Sequence, residues 1–333
     1  MHVLLTDPID ASGEQLLAER GAKFVLAPDG SAETVRRLAR DSDAIIIRSR
    51  LPDDIFEAAP RVRAVTLHGT GTDLVPLESA TRHGVAVANL PGGNAQSVAE
   101  YCAMAILMLA RNVATITSAL RRDPWDEVRC LGAQAREISG LTAGIVGVGE
   151  IGRRLAHILR RGFDMHVLGN RRQLDRLPDE AEPVTLDELV ARSDFVIVTV
   201  PLTPETRYLI NRERLVAMKP SAWLINVGRG PVVEEAALIE ALRAKRIAGA
   251  MLDVYEHYRL EPGHPLLALD NVVLTPHLAG MTRESRGRMS VLAAEDTLRM
   301  LAGEAPRHLV NPEVWSRFLE RRPQDRAAGI RAD

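Results

Sequence analysis

Three glycines in one short segment have the spacing that a nucleotide pyrophosphate requires. Gly147, Gly149 and Gly152 form a G-x-G-x-x-G pattern between the strand-like run Gly144–Val148 and the helical periodicity of Ile151–Arg161. The first glycine permits a tight turn, the second lets the backbone approach the pyrophosphate, and the third lets helix and strand pack closely. The helix N-terminus favours an anion through its free N–H groups and its dipole. The pattern therefore favours dinucleotide binding over a purely structural turn, through Gly147, Val148, Gly149, Glu150, Ile151 and Gly152.

The end of the next strand predicts which dinucleotide is bound. Proteins that bind NAD carry an acid about 20 residues beyond the last glycine, where it accepts hydrogen bonds from ribose hydroxyls. Here that position holds Asn170, followed by Arg171 and Arg172. A neutral amide and two guanidinium groups would accept a 2′-phosphate that a carboxylate would repel. Paired arginines recur along the chain, but the missing acid does not depend on that bias. NADP(H) is therefore favoured over NAD(H).

Two further residues have the chemistry to handle a carbonyl beside a carboxylate. Arg229 follows the strand-like run Trp223–Val227, and its planar guanidinium can bind carboxylate and carbonyl oxygens together. His277 follows the run Val272–Thr275, and an imidazole gives and takes a proton near neutral pH. Because all but three of the 42 basic residues are arginine, the position of Arg229 alone fits a surface residue equally well.

The elements that must position these residues alternate between strand and helix along the chain. One series of β-branched runs spans residues 3–88 and a second spans residues 144–275. Such alternation is typical of α/β domains with parallel sheets, and apolar runs such as Phe195–Val200 indicate sheets covered on both faces. The two series divide near an apolar helix over Ser97–Arg111. The charged segment Arg121–Ser139 after it is either an arm that contacts a second copy or a plain surface loop.

Composition argues against several classes of protein. The 333 residues have a formal net charge of −2, so no overall basic field points to nucleic acid. The N-terminus lacks signal-peptide features, and the longest apolar run, Tyr101–Ala110, is shorter than the ~20 residues of a membrane span. Cys102 and Cys130 make neither a disulfide framework nor a zinc site. We expect a soluble cytoplasmic protein with no nucleic-acid partner, no membrane partner and no metal.

The motifs resemble the D-2-hydroxyacid dehydrogenase family in type and order, from about Val3 to Val310. Besides the glycine loop they are R-S-R at 48–50, H-G-T-G-T-D at 68–73, N-A-Q-S-V-A-E at 94–100, V-P-L-T-P-E-T at 200–206, N-V-G-R-G at 226–230, L-D-V at 252–254 and T-P-H-L-A-G at 275–280. The resemblance implies a flavodoxin-like substrate domain, residues 1–98 and 283–333, and an inserted Rossmann dinucleotide-binding domain, residues 99–282. It also implies a homodimer and a ligand cleft between the domains.

The resemblance also implies roles for individual residues. Arg229 corresponds to the family's substrate-binding arginine and His277 to its acid/base. Asp253 would face the nicotinamide carboxamide, although a strand-end cap is the alternative. Further cofactor contacts are implied for Val200, Pro201, Thr206, Val227, Gly228, Ala279 and Gly280. Contacts to the substrate are implied for Arg48, Ser49, Gly69, Thr70, Gly71 and Asn94.

The chain departs from the family where a carboxylate should orient the acid/base. The family pattern D-V-F-x-x-E-P carries a glutamate five residues after the aspartate, and that position here is Tyr258. Glu261 preserves the E-P pair three residues later, with Glu256 as a rival. We predict that Glu261 is the catalytic partner of His277. Either the loop is rearranged or the dyad is altered.

These observations predict an oxidoreductase that transfers a hydride between NADP(H) and a small 2-oxo or 2-hydroxy acid, glyoxylate and hydroxypyruvate being the simplest. One alternative is a dehydrogenase for phosphoglycerate-type or bulky substrates, for which the Arg48–Arg50 segment and the altered loop at Tyr258 argue. Another is a dinucleotide-sensing, corepressor-like binder without turnover. Retention of both Arg229 and His277 argues against the binder.

Overall fold

The computed structural model describes residues 1–321, and the chain divides into two compact units. One unit runs from Met1 to Asn94 and takes up again at Thr282, and the other is Ala95–Met281. The boundaries expected from the sequence fall after residues 98 and 282, within four residues of these (98 − 94). Residues 322–333, which were assigned to the substrate domain, lie outside the described residues.

The discontinuous unit contains a five-stranded parallel sheet. Its strands are β1 (His2–Leu5), β2 (Lys23–Leu26), β3 (Ala44–Ile47), β4 (Ala64–Leu67) and β5 (Ala86–Ala88). Their order is β2-β1-β3-β4-β5, which is the flavodoxin-like order. Every residue of β3 and β4 is buried, because helices cover both faces of the sheet, as the continuous apolar runs predict.

Helices of this unit come from both ends of the chain. They are α1 (Ala11–Glu19), α2 (Ala32–Ala39), α3 (Ile55–Ala58), α4 (Leu77–Arg82) and, beyond the second unit, α12 (Arg283–Ala302) and α13 (Trp315–Glu320). The side chains of Asp10, Ser31 and Thr282 accept hydrogen bonds from the first turns of α1, α2 and α12, which fixes where these helices begin. A Cβ at Gly13 would lie 2.7 Å from the Ser290 carbonyl oxygen, so α1 and α12 pack closely.

The continuous unit contains a seven-stranded parallel sheet. Its strands are β6 (Thr142–Val146), β7 (His166–Asn170), β8 (Glu182–Pro183), β9 (Phe195–Val198), β10 (Trp223–Asn226), β11 (Gly249–Leu252) and β12 (Val272–Leu274). Their order is β12-β11-β10-β9-β6-β7-β8, which is the Rossmann order with one further strand. Strand β8 was not predicted, because its two residues carry no periodic pattern.

Helices of the continuous unit are α5 (Ala95–Ala110), α6 (Val113–Ala119), α7 (Trp125–Cys130), α8 (Glu150–Phe163), α9 (Leu186–Arg192), α10 (Arg212–Ala217) and α11 (Glu235–Arg243). Because α7 lies inside it, the segment Arg121–Ser139 is not the plain loop that was one of its two interpretations. Within residues 1–321, no single helix combines the length and apolar character needed to cross a membrane. Only α5 and α6 together reach that combination, with a 58° bend between them.

Several predicted strands extended one or two residues too far at their carboxyl ends, and two of these overruns reach the sheet edge at the glycine loop. The runs Gly144–Val148 and Phe195–Val200 were assigned as strands, but β6 ends at Val146 and β9 at Val198. Gly147 has φ +97°, which leaves the extended region and ends β6. The residues beyond these two strands therefore form turns at the sheet edge.

Candidate active site

Most of the predicted site residues in the continuous unit follow successive strands of its sheet. Because the strands are parallel, their carboxyl ends meet at one edge, where α/β proteins bind ligands. In sheet order the edge carries His277 after β12, Asp253 after β11, Arg229 after β10, Val200 after β9, Gly147 after β6 and Arg171 after β7. The order reverses between β9 and β6, so the glycine loop lies at the topological switch point.

The glycine loop has the geometry that each of its glycines was predicted to serve. A Cβ at Gly147 would lie 2.4 Å from Val200 Cγ1, and one at Gly152 would lie 2.8 Å from the Gly147 carbonyl oxygen. Gly149 precedes α8, and a Cβ there would meet no described atom within 4 Å. Glu150 and Ile151 begin α8, whose first-turn N–H groups have no acceptor within the helix. The residues therefore fit a pyrophosphate against the open side of the loop.

Asn170 and Arg171 lie directly beside this loop. The Asn170 carbonyl oxygen accepts a hydrogen bond from the Gly147 N–H at 2.9 Å, and its side-chain amide donates to the Val184 carbonyl oxygen at 2.9 Å. Arg171 Nη1 donates to the Val148 carbonyl oxygen at 3.2 Å. Arg172 extends instead toward Glu205, with its Nη2 3.4 Å from a carboxylate oxygen. Arg171 is thus the guanidinium that the structure holds against the loop.

The turns after β9 and β10 are shaped by close backbone approach. Thr206 Oγ1 donates to the Pro201 carbonyl oxygen at 2.7 Å and so closes the turn that begins at Val200. A Cβ at Gly228, which follows Val227, would lie 2.6 Å from the Val200 carbonyl oxygen. These predicted cofactor residues therefore form two turns in mutual contact at the sheet edge.

Arg229 is presented by a turn that its neighbours hold rigidly. Asn226 Oδ1 accepts a hydrogen bond from the Gly228 N–H at 3.1 Å, and Asn226 Nδ2 donates to the Arg229 carbonyl oxygen at 3.1 Å. A Cβ at Gly230 would lie 1.7 Å from the Tyr255 carbonyl oxygen, so no other residue fits that position. The clasp by Asn226 was not predicted, although its place in the N-V-G-R-G motif was a signal.

Asp253 holds the turn that carries His277. One of its carboxylate oxygens accepts from Thr275 Oγ1 at 2.6 Å and from the Leu278 N–H at 2.7 Å, and the other accepts from the Ala279 N–H at 2.8 Å. The turn continues to Gly280, the last predicted cofactor residue. The His277 backbone is left-handed, with φ +58°. This conformation costs free energy and persists only where the surrounding structure enforces it. These bonds correspond to the capping alternative for Asp253.

Two half-buried tyrosines complete the support beneath this turn. Tyr101 on α5 makes a 2.5 Å hydroxyl–hydroxyl hydrogen bond with Thr275, and Tyr255 Oη donates to the Thr275 carbonyl oxygen at 2.8 Å. Burial raises the pKa of Tyr101, and burial together with the nearby Asp253 raises the pKa of Tyr255 to about 12. Both hydroxyls therefore stay protonated at neutral pH. Sequence reasoning assigned them no role, because their spacing from His277 shows no pattern.

The structure does not bring either predicted glutamate to the His277 ring. Glu261 is exposed, and its carboxylate makes no hydrogen bond or ion pair with residues 1–321. The Glu256 carboxylate accepts a hydrogen bond from Tyr208 and lies 3.8 Å from Arg207 Nη2. Tyr258, in the position of the family's glutamate, contacts the His277 ring edge-on, with ring centroids 6.0 Å apart and planes at 68°. The catalytic role assigned to Glu261 therefore receives no support from this geometry.

The carboxyl edge of the five-stranded sheet holds the predicted substrate residues of the other unit. After β3, Ser49 Oγ lies 2.8 and 2.7 Å from the two carboxylate oxygens of Asp7. Arg48 Nη1 is 3.4 Å from the Pro8 carbonyl oxygen, whereas Arg50 lies outward and pairs with Asp53 at 3.1 Å. Of this motif, the Ser49 hydroxyl therefore serves an internal hydrogen bond, while Arg48 remains half exposed.

After β4, the Gly69–Thr70–Gly71 turn exposes backbone to solvent, and no described atom lies within 4 Å of a Cβ built on Gly69. Asn89 Nδ2 donates to the Thr70 carbonyl oxygen at 2.6 Å. Asn94 is half-buried at the end of this part of the unit. Such a turn can present N–H groups to a carboxylate.

His68, just before this turn, is a buried histidine that sequence reasoning did not assign. Its Nε2 lies 2.8 Å from Ser290 Oγ, which also accepts the Asp10 N–H at 2.8 Å. Burial, helped by the charge of Arg48, lowers the pKa of His68 to about 4. It is therefore neutral at physiological pH. Residues 1–321 contain no group of three or more His, Cys, Asp or Glu side chains placed to hold a metal.

The chain is similar to known proteins over most of its length. A family model described as the NAD binding domain of D-isomer specific 2-hydroxyacid dehydrogenases matches residues 103–279. A glyoxylate reductase of Thermofilum pendens is 39% identical over 291 residues, which cover 85% of this chain and 86% of that protein. A D-3-phosphoglycerate dehydrogenase of Methanocaldococcus jannaschii is 34% identical over 93% of this chain, but over 59% of its own length.

A solved structure extends the similarity to the whole fold. The NADPH-dependent glyoxylate/hydroxypyruvate reductase of Sinorhizobium meliloti, in complex with NADP and malonate, has a TM-score of 0.81 and 30% identity to this chain. The match covers 93% of this chain and 96% of that one.

Proposed function

This chain belongs to the D-isomer specific 2-hydroxyacid dehydrogenase family, and within that family we propose that it is an NADPH-dependent reductase of small 2-oxo acids. Family membership makes it a pyridine-nucleotide-dependent oxidoreductase of 2-hydroxy acids. The observation that carries the finer proposal is the carboxyl edge of the seven-stranded sheet, where Arg229 and His277 lie on turns of the same edge as the glycine loop and Arg171.

The chain's own residues have separate tasks in this reaction. The nicotinamide supplies the hydride when it is bound. The Arg229 guanidinium binds the substrate carboxylate with two parallel hydrogen bonds and polarises the neighbouring carbonyl. The His277 imidazolium donates a proton to the carbonyl oxygen as the hydroxyl forms, and in the reverse direction the neutral ring accepts it. Asp253 keeps the His277 turn in its left-handed form through the hydrogen bonds of its carboxylate.

The preference for NADPH rests on the residues beside the glycine loop. Asn170 donates its amide to Val184 and offers no negative charge. Arg171 lies against Val148 with one guanidinium nitrogen, which leaves its other N–H groups available to a 2′-phosphate. The similar reductase of Sinorhizobium meliloti was solved with NADP, which supports the same preference here.

In the discontinuous unit, the Gly69–Gly71 turn, Arg48 and Asn94 are the groups that we propose as further substrate contacts. A 2-oxo acid carries a carboxylate, to which backbone N–H groups of such a turn can donate. Arg48 is the observation that favours a second candidate, phosphohydroxypyruvate, because its half-exposed guanidinium could bind a phosphate. A homodimer is also proposed, since Met104, Leu107, Val113, Leu120 and Trp125 expose apolar surface along α5 to α7.

The deciding experiment is oxidation of NADPH and NADH by the purified chain with glyoxylate, hydroxypyruvate, phosphohydroxypyruvate and bulkier 2-oxo acids. We expect turnover with NADPH and one of the first two substrates. A best rate with phosphohydroxypyruvate would favour the second candidate. Tight NADPH binding without turnover on any substrate would contradict the reductase and leave a dinucleotide-sensing binder.

A paired variant tests the cofactor assignment. Asn170→Asp with Arg171→Ala should lower the NADPH/NADH ratio of kcat/KM by roughly 10- to 100-fold, because a charge-assisted hydrogen bond is lost and a like charge is added. Arg172→Ala is the matched control, since that side chain extends toward Glu205 and is 78% exposed. An unchanged ratio in the double variant, or an equal change in the control, would refute the role of Arg171.

A further inference from the structure

The loop between β11 and β12 brings an aromatic ring to the acid/base histidine. Tyr258 is 69% exposed, yet its ring meets the edge of the His277 ring with centroids 6.0 Å apart. This edge-to-face arrangement is one of the two favoured geometries of aromatic pairs.

Glu235, the first residue of α11, anchors this loop on both sides of Tyr258. One carboxylate oxygen of Glu235 accepts the Glu256 N–H at 3.0 Å, and the other lies 3.2 Å from His264 Nε2. Glu256 is fixed further by the Tyr208 hydroxyl. Anchors two residues before and six residues after Tyr258 restrict the loop, so the ring contact with His277 is a feature of the fold.

Several titratable groups around the His277 turn form hydrogen bonds that hold the turn itself. Asp253, Tyr255 and Tyr101 make their hydrogen bonds to Thr275 and to backbone groups of the turn. On the next strand, Arg229 Nη1 donates to the Gly228 carbonyl oxygen at 2.8 Å. The bonds of Asp253, Tyr255 and Tyr101 hold the His277 turn, and Tyr258 contacts the imidazole ring.

We propose that Tyr258 is a positioning residue for His277, fixing the plane of the imidazole through ring contact at the place where the family has a glutamate. This inference rests on the proposed role of His277 as acid/base. A neutral ring orients the imidazole without stabilising its positive charge, so it restricts rotation of the ring but adds no carboxylate to raise its pKa. Orientation of the proton donor acts on kcat and leaves cofactor binding unchanged.

Tyr258→Ala and Tyr258→Phe separate the ring from the hydroxyl. The alanine variant should lose about three- to tenfold in kcat, the equivalent of one aromatic contact, with an unchanged Kd for NADPH. The phenylalanine variant should recover most of that loss, because it keeps the ring. Arg259→Ala, next to it on the same exposed loop, should behave as wild type. Equal kcat for the alanine variant and the wild type would overturn the proposal, as would a phenylalanine variant no better than alanine.

Tyr258→Glu adds a carboxylate at position 258 and gives a readout that a merely structural role would not move. A carboxylate beside His277 favours the imidazolium, and reduction requires that protonated form. The fall in kcat/KM as pH rises should therefore move upward by about one pH unit. An unmoved profile would mean that position 258 does not face the imidazole, and would overturn the proposal. If His277→Ala abolishes turnover while both Tyr258 predictions fail, only this inference is lost; a wild type without turnover would remove the proposed function itself.

Discussion

The carboxyl edges of the two sheets are built from different contacts, although both sheets are parallel and covered on both faces. In the seven-stranded sheet the turns are constrained by close backbone contacts, so that Gly147, Gly228 and Gly230 leave no room for a Cβ. In the five-stranded sheet the polar side chains bond to one another, as Ser49 does to Asp7 and His68 to Ser290. Close contacts at the seven-stranded sheet's edge therefore restrict which residue types can stand in its turns. At the five-stranded sheet's edge, the exposed backbone and Arg48 remain available to a ligand.

The largest expected effect, which tests the difference between the two edges, is the loss of kcat on substitution of His277. His277→Ala removes the proposed proton donor from the seven-stranded sheet's edge and should lower kcat by ~10²–10⁴-fold. NADPH affinity should stay within about twofold, because the glycine loop follows a different strand. Steady-state rates and NADPH titration of the purified variant test both statements.

His157→Ala is the matched control for that substitution. His157 lies on α8, where its Nδ1 is 3.2 Å from Glu180, and its side chain is largely exposed. It should keep wild-type turnover. A His277→Ala variant with near-normal kcat would remove the proposed chemistry from this edge and leave it a binding surface only.

Much of the seven-stranded sheet's edge could be predicted from the sequence, because its constraints act on single residues. A glycine at φ +97° or one facing a carbonyl oxygen at 2.8 Å allows no other side chain, so the G-x-G-x-x-G spacing carries the geometry. The strands could be predicted equally well, because buried apolar runs such as Ala44–Ile47 and Ala64–Leu67 coincide with β3 and β4. Family membership and the two-sheet fold followed from these local signals.

What the sequence did not predict depends on contacts between distant positions. The hydrogen bonds that Asp253 accepts from the His277 turn span 25 and 26 residues, and the bond between Tyr101 and Thr275 spans 174. The loop around Tyr258 is three residues longer than the family pattern before its E-P pair. Motif spacing alone therefore favoured Glu261, whereas the structure places Tyr258 on the histidine ring.

The five-stranded sheet's edge predicts a pH-dependent stability. Burial lowers the pKa of His68 to about 4, below its unfolded value near 6.5. The unfolded chain therefore binds one more proton between these values, so stability is complete above pH 6.5 and falls as pH drops toward 4. The loss is about 1.4 kcal/mol per pH unit and about 3 kcal/mol over the whole window. Urea unfolding at a series of pH values measures it.

His68→Gln isolates this contribution from the carboxylates that titrate in the same range. Its amide can still reach Ser290 but takes up no proton, so its stability should fall less between pH 6.5 and 4 than that of the wild type. Parallel curves for the two proteins would show that His68 is protonated in the folded state. In that case the internal hydrogen bonds of the five-stranded sheet's edge would be too weak to keep the His68 imidazole neutral, contrary to the contrast drawn between the two edges.

The smallest expected effect is on stability, and it tests whether backbone crowding restricts the seven-stranded sheet's edge. The test compares two glycines, one in the glycine loop and one near the end of α8. Gly147→Ala places a methyl group 2.4 Å from Val200 Cγ1 at φ +97°, and should destabilise the fold by about 1–3 kcal/mol through strain and overpacking. Gly162→Ala lies within α8, where a Cβ meets no described atom within 4 Å, and should stabilise by about 0.5–1 kcal/mol. Thermal unfolding of both variants measures the two signs. If Gly147→Ala were as stable as the wild type and still bound NADPH, the loop would tolerate a side chain. Crowding around its glycines would then no longer explain why this edge could be predicted from the sequence.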